Sequence, residues 1–166
     1  MRTGLSTSLL ITLAMSPAFA HAAQEPAQRM DVTLALANDL LNATLGACHA
    51  EGRTAVAAVV DRGGNLVAVQ RDDNVGPHNT LAAQRKAYTA LSTKTSTRLL
   101  AERARSTPDA ENLNTVGELL LLGGGVPLQF KGQVIGAIGV AGAGGAAFDE
   151  GCALAAINKV LPAVKH

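Results

Sequence analysis

The chain has 166 residues, a formal net charge of +1, and hydrophobic side chains at 48% of its positions. This length predicts one domain that is large enough for a hydrophobic core of its own. The nearly balanced charge, with no basic run interleaved with aromatic residues, argues against nucleic acid or an anionic membrane surface as a partner. Aromatic residues make up only 2% of the chain, so we expect a core of small aliphatic side chains.

The N-terminal residues have the pattern of a secretory signal peptide. Arg2 supplies a positive start, residues 5–19 are uncharged and mostly apolar, and two Ala-x-Ala cleavage sites follow. The apolar stretch is shorter than the roughly 18 to 20 residues that a membrane-spanning helix needs. We therefore predict a signal peptide over residues 1–23, a polar linker over 24–29, and a single domain over 30–166 that is exported, either periplasmic or secreted.

Export bears on Cys48 and Cys152, the two cysteines of the sequence. An oxidising compartment could join them in a disulfide. The alternative is two buried, unpaired cysteines that act as small apolar residues, and we favour it slightly because two positions define no geometry. Neither cysteine lies in a C-x-x-C motif, which argues against a redox or zinc site.

In the first half of the chain, apolar residues recur every three to five positions over residues 31–51, and Gly52 follows, so this segment is predicted to be a helix. Residues 54–60 and 66–71 are predicted strands. The turn residues between them predict a hairpin. After a loop over 72–77, we expect Asn79 or Thr80 to cap a second helix.

In the second half, a short helix is predicted from Ser96 to before Pro108, followed by a long polar connection. Three strands are then expected at residues 119–122, 126–130 and 133–141, the last of them central because it is small or apolar on both faces. A final helix follows, with Asp149 and Glu150 in its first turn.

This element order predicts an α/β (more strictly α+β) fold. Strands joined by tight turns pair in an antiparallel sheet, here of about five strands, and the helices flank it.

Two glycine clusters invite a functional interpretation. Residues 142–147 match G-x-G-x-x-A, but the chain ends too soon for the parallel strand and acidic residue that a dinucleotide site requires. Residues 123–125 lack the Gly-Lys-Ser/Thr ending of a phosphate-binding loop. We interpret both clusters as structural.

Catalytic patterns are sparse. No serine lies in a nucleophile elbow, and no acid and base can be paired from the sequence. We therefore name no catalytic residue and rank an enzyme below a binding protein.

Histidine is the informative residue type, because imidazole can ligate haem iron. His21 adjoins the predicted cleavage point and His166 is terminal, which leaves His49 and His78. His78 precedes two cations, Arg85 and Lys86, that could bind the propionates of a tetrapyrrole. The structural alternative is that His78 packs against its loop and the cations are simply solvated.

Five segments, in this order, resemble the GlcG/HbpS-like family, also known as the haem-degrading domain family, which includes the C-terminal domain of PduO-type proteins. The segments are residues 59–66, 85–90, 123–128, 136–140 and 149–153. Their order and spacing fit over residues 30–160, nearly the whole predicted domain.

The resemblance implies a profilin-like sandwich around a central antiparallel sheet, assembly into a homo-oligomer, and haem or, more weakly, corrinoid as cofactor. Our leading hypothesis is an exported protein that binds haem for sequestration or sensing. His78 would be the axial ligand, Arg85 and Lys86 the propionate partners, and Arg71 a residue at the rim, with His49 as second choice for the iron. The alternatives are a cofactor-free oligomeric scaffold or an enzyme acting on haem or a small hydroxy acid.

Overall fold

A computed structural model describes residues 24–161 of the chain. The predicted signal peptide lies outside the described residues, as do residues 162–166. The helices are α1 (Leu34–Ala50), α2 (His78–Thr93), α3 (Thr97–Ser106), α4 (Pro108–Glu111) and α5 (Ala146–Val160), with a 3-10 turn at Asn112–Thr115. The strands are β1 (Val56–Asp61), β2 (Leu66–Arg71), β3 (Gly125–Phe130) and β4 (Gln133–Ala141). None of these helices is long and apolar enough to cross a membrane.

The four strands form one antiparallel sheet in the order β2-β1-β4-β3. The central position of β4 is confirmed, and so is the hairpin between β1 and β2. The sheet has four strands where about five were expected, because residues 119–122 form no strand. The backbone of that segment instead forms hydrogen bonds with helix side chains. Leu120 N donates to Thr89 Oγ1 at 2.8 Å, and Thr97 Oγ1 donates to Leu122 O at 2.8 Å. Its backbone thus needs no neighbouring strand.

Helices cover both faces of the sheet, as expected for the sandwich. Leu40 and Leu41 of α1 pack with alternate residues of the central strands and with α5. On the opposite face, small residues of α2 such as Ala83 and Ala87 lie directly on β1 and β4. A Cβ added to Gly139 would come within 2.0 Å of Ala83 O. The small side chains therefore allow α2 to approach the sheet backbone closely.

The two cysteines are joined, so our preference for unpaired thiols was wrong. Cys48 of α1 and Cys152 of α5 form a disulfide with Cα atoms 5.4 Å apart, although 104 positions separate them in sequence. The pairing arises because α1 and α5 pack side by side on the same face of the sheet. That proximity depends on the tertiary structure and has no local signature in the sequence.

Two helix starts also differ from the expectation. Helix α1 begins at Leu34 rather than at residue 31, because Thr33 caps it by accepting from Leu36 N, while Asp31 Oδ1 accepts from Arg62 N across the domain. Helix α2 begins at His78, directly after Pro77, so Asn79 and Thr80 are helical residues rather than caps. The long connection holds α4 and the 3-10 turn.

The hairpin turn between β1 and β2 leads to a prediction of pH dependence. Partial burial would raise the pKa of Asp61. Hydrogen bonds from the Asn65 side chain and from the backbone N–H groups of Asn65, Gly63 and Gly64 outweigh it, and they lower the pKa from its ordinary 3.8. A carboxylate whose pKa is depressed by folding stabilises the fold above its unfolded pKa, and this contribution is lost as the pH falls through the folded pKa.

Below about pH 4, the wild type should therefore lose unfolding free energy more steeply than Asp61→Asn. The expected difference is no more than about 1 kcal/mol, since Asp61 is only partly buried. Urea unfolding at several pH values measures it. Parallel pH curves for the two proteins would contradict the prediction.

Candidate ligand-binding site

The exposed side of α2 carries the residues that the sequence singled out. Leu81, Arg85 and Tyr88 follow His78 by three, seven and ten positions, so all four lie on one side of the helix. The alanines at positions 83, 87 and 90 lie on the other side and are fully buried. The outer side therefore faces solvent, and it is unusually apolar, with Leu81 60% and Tyr88 37% exposed.

A groove of about 380 Å³ runs along this side of α2. Its walls come from α2, from the β1–β2 turn and from the segment that precedes β3. The lining residues are Gly64, Leu81, Gln84, Arg85, Tyr88, Gly117 and Glu118. The groove therefore combines an apolar surface with one cation and one acid.

His78 is the first residue of α2 and is exposed. Its imidazole lies beside the loop that leads into the helix: a Cβ added to Gly76 would be 3.0 Å from His78 Cε1. Within residues 24–161 the imidazole makes no hydrogen bond, which leaves its nitrogens available to a ligand one turn before Leu81.

Arg85 is half-buried and helps to build the groove. One of its terminal nitrogens donates to Gly117 O and to Leu119 O, each at 2.7 Å. These bonds hold the segment before β3 against α2. Because a guanidinium has five N–H donors, it retains the capacity to bind a carboxylate in the groove.

Lys86 does not reach this groove. It projects from the inner side of α2 and is 1% exposed, with Nζ 2.7 Å from Asp149 Oδ2 and 2.9 Å from Val140 O. Asp149 Oδ1 accepts from Ala143 N at 2.8 Å. Adjacent residues on a helix point about 100° apart, so Arg85 and Lys86 face different environments.

Gly124 completes the surroundings of the ion pair. At φ +122° it passes so close that a Cβ there would lie 2.4 Å from Val140 O and 3.1 Å from Lys86 Nζ. The structural interpretation of the glycines at 123–125 is consistent with this contact. The second buried acid of α5, Glu150, pairs with Arg98 of α3.

The other two candidates lie apart from the groove. The Arg71 guanidinium donates to Val75 O and so braces the loop before His78. His49 is on α1, where Nε2 lies 2.9 Å from both carboxylate oxygens of Asp72. Asp72 also accepts from Ala55 N at 2.8 Å. His49 is thus already engaged in a local contact.

The sequence reasoning did not single out Leu81, Gln84, Tyr88 or Glu118 as site residues. A detectable signal was present: alanine fills the positions that face a tightly packed sheet, so the larger apolar residues of α2 must point outward. No group of three or more His, Cys, Asp or Glu side chains that could hold a metal ion occurs within residues 24–161.

Known proteins are similar to this chain in sequence and in fold. Protein GlcG of Escherichia coli is 30% identical over 136 residues, which cover 82% of this chain and 84% of GlcG. The crystal structure of HbpS superposes with a TM-score of 0.76 at 38% identity and covers 84% of this chain and 98% of that one.

The crystal structure of a PduOC–haem complex has a TM-score of 0.71 at 24% identity, covering 82% of this chain and 99% of that one, and shows likeness of fold alone. The family model described as "Haem degrading protein HbpS-like" matches residues 32–158. The chain therefore belongs to the HbpS-like family.

Proposed function

We propose that this protein is an exported haem-binding protein whose axial iron ligand is His78. The observation that carries the proposal is an exposed imidazole on α2, one helical turn before the Leu81 end of an apolar groove, in a chain whose family is described as haem degrading. Haem is a flat apolar macrocycle with two carboxylates and an iron that accepts imidazole. A binding surface needs an apolar wall, a ligand and a cation, and α2 supplies all three.

The spacing along α2 is consistent with this assignment. From the rise of about 1.5 Å per residue, Leu81 follows His78 by about 4.5 Å and Arg85 follows it by about 10 Å. Leu81 and Tyr88 would contact the macrocycle, and Arg85 would bind a propionate. Lys86 is committed to Asp149, so the proposal assigns the propionate to Arg85 alone. Arg71 would act by bracing the loop that presents His78.

Two observations support export. Residues 1–23 have the pattern of a cleaved signal. The disulfide between Cys48 and Cys152 is a bond that forms and persists in oxidising compartments. Sequestration or sensing of haem outside the cytoplasm is the role that this combination favours.

The test is a hemin titration of the protein purified after export, followed in the Soret band. We expect a saturable shift at one haem per subunit in the wild type. His78→Ala should weaken binding at least tenfold, since a coordinate bond is lost (about 1.4 kcal/mol per factor of ten). Arg85→Gln should weaken it by about three- to tenfold through loss of a charge-assisted hydrogen bond. His49→Ala is the matched control and should bind as the wild type does.

Each other outcome has a defined meaning. An unchanged spectrum and affinity in His78→Ala would refute the ligand assignment, and loss in His49→Ala alone would move the ligand to α1. Absence of any saturable shift would favour the cofactor-free oligomeric scaffold. A parallel cobalamin titration tests the corrinoid alternative, and appearance of biliverdin would indicate turnover of haem.

The proposal includes self-association into a homo-oligomer. Large apolar side chains are exposed away from the groove, among them Leu34 at 59%, Leu122 at 50% and Leu154 at 43%. Light scattering on the same sample gives the mass with and without hemin.

A further inference from the structure

A second pocket lies at the other end of α2 and is larger than the groove, at about 470 Å³. It is open to solvent and bordered by the β1–β2 turn, the last turns of α2 and the β3–β4 turn. From the helical rise, its residue Lys94 is about 24 Å from His78 along α2, which is more than one porphyrin could bridge. The cationic end of this pocket is therefore remote from the proposed iron ligand, while Gly64 and Tyr88 line both the pocket and the groove.

The lining of this pocket is cationic and rich in hydrogen-bonding groups. Arg62 and Lys94 contribute positive charge, and Tyr88 and Ser92 contribute hydroxyls. None of the described lining residues is acidic. The carboxylate of the adjoining Asp61 accepts from both the backbone N and the side-chain nitrogen of Asn65. The lining itself thus carries two cations and no acid, which favours an anionic ligand.

Arg62 is anchored with its guanidinium across the pocket edge. Its backbone N donates to Asp31 Oδ1 at 2.9 Å, and one terminal nitrogen donates to Val134 O at 3.1 Å. The same nitrogen also donates to Gln133 Oε1 at 3.5 Å. Three further N–H donors remain in the planar guanidinium, whose geometry binds a carboxylate or phosphate through two parallel hydrogen bonds.

Lys94 occupies a backbone conformation that normally favours glycine. It ends α2 at φ +51°, in the left-handed region, with its N–H bonded to Leu91 O at 3.3 Å. A helix commonly ends in this conformation with glycine. A lysine there carries strain, and backbone strain of this kind is enriched at ligand sites. Here it keeps a second cation at the pocket.

We propose that this pocket binds a small organic oxyanion, a carboxylate or a phosphate ester, with its charged group between Arg62 and Lys94. The apolar part of the ligand would lie against the Tyr88 ring and Leu91, which line the same pocket. The volume suits a molecule of metabolite size rather than a macromolecule.

The chain provides its own reporter for this test. Tyr88 is the single tyrosine and the sequence has no tryptophan, so intrinsic fluorescence comes from the pocket itself. We would titrate the exported protein with succinate, with inorganic phosphate and with uncharged succinamide. We expect a saturable change in tyrosine fluorescence with succinate or phosphate and no change with succinamide. The anion that binds with the higher affinity identifies the ligand chemistry.

Charge variants locate the binding. Lys94→Gly removes the cation at a position where the backbone conformation favours glycine. Arg62→Gln removes the guanidinium group from an exposed position. Each should weaken anion binding by about three- to tenfold. Arg103→Gln, an exposed arginine on α3, is the matched control and should leave the affinity unchanged.

An equal response to succinamide, or an affinity unchanged in the Lys94→Gly/Arg62→Gln double variant, would overturn the proposal. The absence of any saturable response would do so as well. Tyr88 lines both this pocket and the groove, so the anion titration is done without hemin, and the variants separate the two sites: the hemin titration depends on His78, and the anion titration depends on Arg62 and Lys94. Failure of either proposal therefore leaves the other standing.

Discussion

Replacing Lys86 by methionine is expected to lower the free energy of unfolding by about 3–5 kcal/mol. The side chains of Lys86 and Asp149 are only 2% and 5% exposed, and they are paired at 2.7 Å. Removing the cation leaves a buried carboxylate whose remaining partner is Ala143 N. Water cannot replace the ammonium there, so the cost of desolvating Asp149 is no longer offset.

The experiment is urea unfolding of Lys86→Met, of Asp149→Leu and of the double variant. Each single variant leaves one buried charge alone, whereas the double variant leaves none, so it should recover much of the loss. Lys159→Met is the matched control, because Lys159 is exposed on α5, and it should change stability by less than about 0.5 kcal/mol. If Lys86→Met were as stable as Lys159→Met, the ion pair would not be formed in the protein.

Loss of the Cys48–Cys152 bond should have an effect of similar size. The disulfide closes a loop of 104 positions, and restricting the unfolded chain over such a loop contributes about 4 to 5 kcal/mol in the chain-entropy account. We therefore expect Cys48→Ala/Cys152→Ala to lower the free energy of unfolding by several kcal/mol. The bond also links α1 to α5 directly. The backbone amides of both helices should therefore exchange their hydrogens faster when the bond is absent.

Two controls separate the bond from the change of side chain. The reductant dithiothreitol should lower the urea midpoint of the wild type towards that of the double alanine variant, and it should leave the variant unchanged. Both cysteines are buried, so the alanine variant also loses a little packing. A wild-type midpoint that is insensitive to reductant, with free thiols detected after unfolding, would contradict the presence of the bond.

Much of the fold could be predicted from local sequence. Apolar periodicity identified α1 and α5, the Asp61–Asn65 turn identified the first hairpin, and the double-sided apolar run identified β4 as a central strand. These features are local: hydrophobic period and turn chemistry act over a few residues. The five ordered segments also predicted the family, because their order and spacing together are far more specific than any one motif.

The placement of some candidate residues on α2 could be predicted, whereas their role as a binding site stays a prediction. His78 and Arg85 do lie on one side of α2, since seven positions are close to two helical turns. Lys86 illustrates the opposite case. A lysine beside an arginine is typically interpreted as a second surface cation. No neighbouring residue indicates that Asp149, 63 positions away in the sequence, is buried against it.

The sequence by itself thus determined most of the elements, the antiparallel pairing and the family, all of which depend on short-range pattern. The tertiary structure alone decided that Cys48 meets Cys152, that Lys86 points inward, and that residues 119–122 bond to helix side chains instead of adding a strand. The reason is the same in each case. These partners lie far apart in the chain, and only the packing of helices on the two faces of the sheet brings them within bonding distance.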